Sequence, residues 1–310
     1  IAAKIAFFAD IPPENVISAP DAKSIYHVPV LFQEQNVPEL VTTRLKLKRR
    51  EPDMAQWKNF AKRVSDGKRE VEIALIGKYT DLKDSYISHE ETLRYAGALE
   101  GVRIRIRWLE APDLEDADST KALDGVSGVL VPGGFGSRGA EGKIMAARWA
   151  RENKVPYLGV CFGFQLAVVE FARNALGMEG ANSVELDPDS PHPVVDLLPE
   201  QREVIEKGAT MRLGDHDIAL DTGVAYELYG RDSIQERHRH RFEVNPDYIA
   251  RLEAAGLRFT GRDTSGRRME VLELEGHPYF IASQFHPEFK SRPDAPSPLH
   301  LGLARAALER

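Results

Sequence analysis

The sequence has 310 residues, 42% hydrophobic and 29% charged, enough for one large domain plus a smaller flanking piece and unlike a disordered or membrane chain. With 41 basic against 48 acidic side chains the formal charge is -7, so no overall field favours a polyanion and no nucleic-acid partner is expected. No apolar run reaches the roughly 18 residues that span a bilayer, no signal-peptide layout opens the chain, and the single cysteine, Cys161, can close no internal disulfide; a reducing cytoplasm without membrane attachment is the expected setting.

Ile1 opens inside an apolar segment and without Met, which reads as a chain cut from a longer one. Residues 1–50 hold the apolar segment Ile5 to Phe8, a loop with Pro12, Pro13 and Pro20, and a Val- and Leu-rich segment, too little to form a core alone. Arg44 to Arg50 alternates leucine with basic residues, as a strand with one solvated face does. Residues 51–70 are polar and charged, with a short helix predicted near Met54 to Val64, and read as a linker. From residue 71 to 310 strands alternate with helices, the pattern of an α/β domain around a mostly parallel sheet. Strands are predicted at Val71 to Ile76, Val102 to Trp108, Gly128 to Val131 and Pro156 to Val160. Helices are predicted from Tyr86 to Leu99, Glu141 to Asn153 and from Cys161 to Leu176. The second half is strand-rich, including Glu270 to Leu274 and Phe280 to Ser283, and closes on a helix from Pro298 to Leu308.

The segment Gly159-Val160-Cys161-Phe162-Gly163-Phe164-Gln165 places a cysteine between two glycines where an apolar strand passes into a helix. This is the nucleophile-elbow layout with cysteine in place of serine. The positive end of the helix dipole favours the thiolate there, the form that attacks carbonyls; the other reading is a buried, inert cysteine. His286-Pro287-Glu288 follows another apolar strand and offers a base and an orienting carboxylate, or a solvated loop. Val131-Pro132-Gly133-Gly134-Phe135-Gly136 also ends an apolar strand, and its glycines free backbone N–H groups to face a developing oxyanion. The continuation Gly142-Lys143-Ile144 fails as a phosphate loop: the first glycine is misplaced and no Ser or Thr follows the lysine.

These segments, together with Asn182-Ser183-Val184-Glu185, Arg237-His238-Arg239-His240-Arg241-Phe242-Glu243-Val244 and Gln284 to Phe289, resemble the class I glutamine amidotransferase domain of the CTP synthase family. The Arg-His run and Gly133-Gly134-Phe135-Gly136-Ser137-Arg138-Gly139 narrow the likeness to that family, and Val16-Ile17-Ser18 and Ser24-Ile25-Tyr26 extend it over essentially the whole chain. The resemblance implies the class I amidotransferase fold over residues 71–310, after a linker and, in residues 1–50, the end of a P-loop-type synthetase domain. It implies Cys161 as nucleophile, His286 as acid and base, Glu288 as its orienting carboxylate, and the N–H groups of Gly134 and Phe162 as the oxyanion hole. Glutamine would lie against Gly134, Phe162, Gly163, Phe164, Gln165, Glu185 and Arg241, and nucleotides against Lys4, Pro20, Asp21 and Ala22. It further implies ammonia supply for ATP-dependent amination of UTP to CTP, ATP and Mg with metal ligands outside this chain, GTP as an activator with Arg138 and Glu141 as candidate contacts, and a homo-oligomer, a tetramer. Phe162 and Phe164 stand where Leu and Met are common in the family, Val184 where Thr is frequent, and the stretch from Asp196 to Gly208 is short. The rival readings are a stand-alone cysteine hydrolase of the same fold and a non-catalytic assembly or regulatory module.

Overall fold

The structure, a computed structural model, describes residues 1–48, 50–67, 69–197 and 211–310. Most of the stretch noted above as short, from residue 198 on, lies outside the described residues. The first part of the chain is helical: α1 (Ala2–Ala9), α2 (Val28–Glu34), α3 (Val37–Arg44) and α4 (Ala55–Asp66). Pro29 and Pro38 sit in the first turns of α2 and α3, where their missing N–H would have no helical partner anyway. The strand expected over Arg44 to Arg50 does not form. Arg44 ends α3, and Leu45 and Leu47 lie exposed beyond it. Among the described residues no neighbouring strand pairs the backbone groups there, so the alternating pattern has nothing to fold against. The 51–70 stretch, expected as a linker, carries α4. Trp57 donates its indole N–H to the Tyr26 carbonyl at 2.7 Å, and Tyr26, Trp57, Phe60 and Tyr95 of the following helix form one aromatic cluster.

The remaining strands are β1 (Arg69–Gly77), β2 (Val102–Glu110), β3 (Gly128–Val131), β4 (Tyr157–Val160), β5 (Ala181–Ser183), β6 (His192–Asp196), β7 (Arg212–Leu220), β8 (Ser233–His240), β9 (Glu243–Val244), β10 (Leu257–Asp263), β11 (Met269–Leu274) and β12 (Phe280–Ser283). Nine of them form a sheet in the order β2-β1-β3-β4-β12-β11-β10-β7-β8, and β5-β6-β9 form a small second sheet. The run from β2 to β12 is parallel, and from β12 to β8 every pairing is antiparallel. β3, β4 and β12 are buried at every position, which is why each reads as an unbroken apolar run.

The helices between them are α5 (Ile87–Glu100), α6 (Ala140–Glu152), α7 (Phe162–Asn174), α8 (Val224–Tyr229), α9 (Pro246–Ala254) and α10 (Pro298–Glu309). Alternation along β1 divides the core between the sheet's two faces. Ala74 and Ile76 pack with Ile144 of α6 and Leu166 of α7, whereas Ile73 and Leu75 pack with Leu93 of α5 and Leu303 of α10. Helices thus cover both faces of the parallel half, and the carboxyl ends of β3, β4 and β12 open side by side at one edge of the sheet, where α/β proteins build their sites.

Candidate active site

Cys161 follows β4 and caps the N-terminus of α7, with φ 54° and ψ -101°, in the positive-φ range that non-glycine residues rarely occupy. Both flanking glycines are required. A Cβ on Gly163 would stand 2.2 Å from the Val131 carbonyl oxygen, and one on Gly159 would stand 2.7 Å from the Gly163 carbonyl oxygen. Cys161 is held in that turn by its N–H donating to Ser283 O of β12 at 2.7 Å and its carbonyl accepting from Phe164 and Gln165.

The register of β12 on β4, with Ser283 opposite Val160, brings the segment after β12 alongside the elbow. His286 follows there, its N–H bonded to Arg237 O of β8 at 2.8 Å. Its imidazole converges with Cys161 on Gly133: a Cβ built on that glycine would lie 3.0 Å from His286 Cε1 and 3.5 Å from Cys161 Cβ. Nδ1 of His286 is 2.7 Å from Glu288 Oε1. Burial opposes the charge on His286, but the negative charges of Cys161 and Glu288 outweigh it and hold the imidazole's pKa up to about 11. Burial likewise pushes the Glu288 carboxyl up, yet His89 and His286 beside it bring it down to about 2.

Behind Glu288 lies a further buried chain that the sequence did not announce. His89 Nε2 is 3.5 Å from Glu288 Oε1, His89 Nδ1 is 3.0 Å from His300 Nε2, and His300 Nδ1 is 2.9 Å from Ser297 Oγ. Burial lowers the pKa of both His89 and His300. A carboxylate facing His89 Nε2 requires the proton on that nitrogen; with both rings neutral, His89 Nδ1 accepts from His300 and His300 Nδ1 accepts from Ser297. Every donor in the chain therefore points towards Glu288.

The loop after β3 forms the opposite wall. Lys78 Nζ donates to the Phe135 carbonyl, Gly136 N–H donates to Glu185 Oε1 at 2.8 Å, and Lys143 of α6 donates from below to Pro132 O at 2.8 Å and Gly133 O at 3.3 Å. Burial raises the Glu185 carboxyl's pKa, against the Gly136 N–H and the Arg241 guanidinium, which lower it. Glu185 and Arg241 are thus within electrostatic reach of one another beside the loop. Gln165 is buried in the first turn of α7, and its side-chain N–H groups donate to Phe242 O and Gln284 Oε1. A cleft of about 290 Å³ opens over Cys161, His286, Gly133, Gly134, Lys78 and Tyr79.

The Arg-His run is strand β8 and its following turn. Gln235, Arg237 and Arg239 are exposed, and Glu236, His238 and His240 point inward, so the strand is solvated on one face only. His238 bonds Glu270 at 2.8 Å and His240 bonds Glu243 at 3.0 Å, anchoring the run whose Arg239 carbonyl lies 3.7 Å from Cys161 Sγ. Gly163 and Phe164 are buried in α7. Lys4, Pro20 and Asp21 lie exposed, with Ala22 half-buried, in the helical N-terminal part, separate from this cleft. Arg138 stacks over Tyr79 and pairs with Glu110 at 3.6 Å, while Glu141 pairs with Arg173 at 2.8 Å.

Sequence reasoning passed over His89 and His300 and weighed Lys143 only as part of a failed phosphate loop. Each interrupts an apolar stripe: Lys143 lies among Ala140, Ile144 and Ala147, His89 before Leu93 and Ala96, and His300 beside Leu299, Leu303 and Ala304.

The chain is also similar to known proteins. Residues 1–47 match the family described as CTP synthase N-terminus. The chain is 53% identical over 309 residues to a CTP synthase of Thermococcus gammatolerans, and 54% identical over 308 residues to one of Pyrococcus furiosus. These alignments cover 99% of this chain and 58% and 57% of the two relatives, so the chain spans little more than half their length. Among solved structures, a Trypanosoma brucei CTPS glutaminase domain with bound acivicin superposes with a TM-score of 0.74 at 37% identity, over 77% of this chain and 94% of that one. Residues 81–306, which contain the elbow, the glycine loop and the His-Pro-Glu segment, match the family described as glutamine amidotransferase class-I, and the chain belongs to that family.

Proposed function

We propose that this chain hydrolyses glutamine through a thioester on Cys161 and supplies the ammonia for ATP-dependent amination of UTP to CTP. The observation that carries the reading is the convergence of Cys161, His286 and Glu288 at the adjoining ends of β4 and β12, with the glycine loop opposite. In this reading Glu185 takes the substrate's ammonium and Arg241 its carboxylate, and Gln165 helps hold the same amino-acid end. The Cys161 sulfur attacks the side-chain carbonyl carbon and forms a C–S bond, while the oxygen takes the electron pair and faces the N–H groups of Gly134 and Phe162. The tetrahedral intermediate collapses as the C–N bond breaks and His286 delivers its proton to the departing nitrogen, releasing ammonia and leaving the γ-glutamyl thioester. His286, now neutral, takes a proton from water as its oxygen attacks the thioester carbon; the C–S bond then breaks, releasing glutamate and returning the electron pair to the Cys161 sulfur as thiolate. Glu288 holds the imidazole in the required tautomer throughout.

Ammonia in bulk water becomes ammonium and loses its lone pair, so its use demands a sheltered route to an activated acceptor. The CTP synthase character of residues 1–47 supports a synthetase neighbour over a stand-alone hydrolase. UTP, ATP with Mg, activation by GTP, assembly into a homo-oligomer and a cytoplasmic setting belong to the same reading; among the described residues no helix is long and apolar enough to cross a membrane. The direct test is Cys161→Ala in the complete enzyme. Glutamine hydrolysis should vanish while CTP formation from added ammonia persists. Persistent glutamine hydrolysis would remove Cys161 as the nucleophile, and loss of the ammonia-dependent reaction in a folded variant would refute the division of labour.

A further inference from the structure

Lys143 is 1% exposed, and among the described residues no carboxylate pairs with it. A buried cation without an acidic partner is costly, so its surroundings must compensate for the lost water. Its ammonium meets two backbone carbonyls, Pro132 O at 2.8 Å and Gly133 O at 3.3 Å, and lies 5.5 Å from the centre of the Phe162 ring. Burial lowers its pKa to about 7 and the positive Lys78 lowers it too, whereas the charge of Cys161 favours its protonated form. One lysine therefore touches both segments whose N–H groups are assigned to the oxyanion hole, the glycine loop and the first residue of α7.

The Gly133 carbonyl and the Gly134 N–H belong to one peptide unit. Among the described residues there is no cis peptide, so this N–H points opposite to its carbonyl. Holding the oxygen on Lys143 therefore turns the Gly134 N–H away from the core, towards the cleft lined by Gly134 and Cys161. A positive charge on the oxygen also draws electron density through the amide and makes the N–H a stronger donor.

Resting on the amidotransferase reading above, we propose that Lys143 is a positioning residue of the oxyanion hole: its ammonium, fixed on the Pro132 and Gly133 carbonyls, orients and polarises the Gly133–Gly134 peptide that receives the substrate's oxyanion. A lysine that merely fills space would affect every reaction of Cys161 alike. A lysine acting through the oxyanion hole affects only reactions that develop an oxyanion.

The experiment compares wild type, Lys143→Met and Lys143→Gln in glutamine hydrolysis and in alkylation of Cys161 by iodoacetamide, a displacement that generates no oxyanion, both read at one pH below about 7, where Lys143 carries its proton. Losing a whole oxyanion donor costs roughly 100- to 1000-fold in kcat, so weakening one should lower kcat by about tenfold or more in Lys143→Met, with KM and the alkylation rate within about threefold of wild type. Lys143→Gln, neutral yet still able to donate to the same carbonyls, should fall between, and it supplies the reading if the Met variant does not fold. A kcat near wild type in the folded variants, or alkylation falling in parallel with hydrolysis, would overturn the proposal. A wild-type protein that hydrolyses no glutamine would overturn the amidotransferase reading itself, a separate and recognisable outcome.

Discussion

Glu288→Gln isolates one electrostatic quantity. Glu288 Oε1 faces both His286 Nδ1, at 2.7 Å, and His89 Nε2, at 3.5 Å, whereas Oε2 is buried without a hydrogen-bond partner among the described residues. A glutamine that keeps its carbonyl at the Oε1 position satisfies both imidazoles, leaves the His286 tautomer unchanged and places its NH2 where Oε2 was. The substitution then removes only the charge. Opposite unit charges about 4 Å apart in an environment of effective dielectric near 20 attract by about 4 kcal/mol, so the imidazolium is less stable by about that much and kcat should fall by about a thousandfold. KM should change by no more than a few-fold, because Glu185 and Arg241, not Glu288, are assigned to the substrate's amino-acid end. The pKa of His286, held up by Glu288 and the Cys161 charge, should move down. Steady-state kinetics of glutamine hydrolysis on both proteins, with a melting curve to establish folding, suffice. A fall in kcat below about tenfold would refute the assignment of Glu288 as the charge that supports His286.

Arg241→Ala should raise KM for glutamine by about ten- to a hundredfold, since a charge-assisted bond to a carboxylate is worth roughly 1.5 to 3 kcal/mol; unchanged kinetics would return Arg241 to a structural role. Glu236 of β8 supplies a stability prediction: burial pushes its carboxyl from 4.5 up to about 7, although Tyr229 donates to it at 2.8 Å. Its folded pKa exceeds its unfolded one, so stability is lost as pH rises from 4.5 to about 7, and Glu236→Gln should melt several degrees above wild type at pH 8, with at most about 3 kcal/mol regained, and show no such gain at pH 4. Coincident melting curves at pH 8 would refute the buried-charge account.

The α/β class and most elements of the parallel half were legible because burial there leaves a local trace. Gly128–Val131 and Phe280–Ser283 stand where their apolar runs placed them, and the helix expected from Tyr86 to Leu99 runs from Ile87 to Glu100. The small second sheet left no such trace: β9 has two residues and β5 three, and their ladder is set by distant partners instead of by local pattern. At Arg44 to Arg50 the local pattern was present and misleading, since alternation stabilises a strand only where a neighbour can complete its hydrogen bonds.

The site divides along the same line. The elbow was legible because Gly159 and Gly163 are demanded by contacts close in sequence or on the adjoining strand, and glycine is the residue that fits them. That His286 reaches Cys161 follows instead from the β12–β4 register, which no local pattern encodes. Lys143, His89 and His300 are an intermediate case. Their sequence signature is a charged or titratable side chain inside an apolar helical stripe, visible without any structure, yet partners that make each tolerable, two loop carbonyls for the lysine, Glu288 for His89 and His89 for His300, come from other elements. A polar residue that breaks a core stripe therefore reports that burial has been compensated, and only the tertiary contacts reveal by what. In this chain the compensating groups are the loop and the carboxylate that the proposed reaction uses. Burial cost at α5, α6 and α10 is thus offset by contacts that also orient the reacting groups, which couples the stability of the core to the geometry of the site.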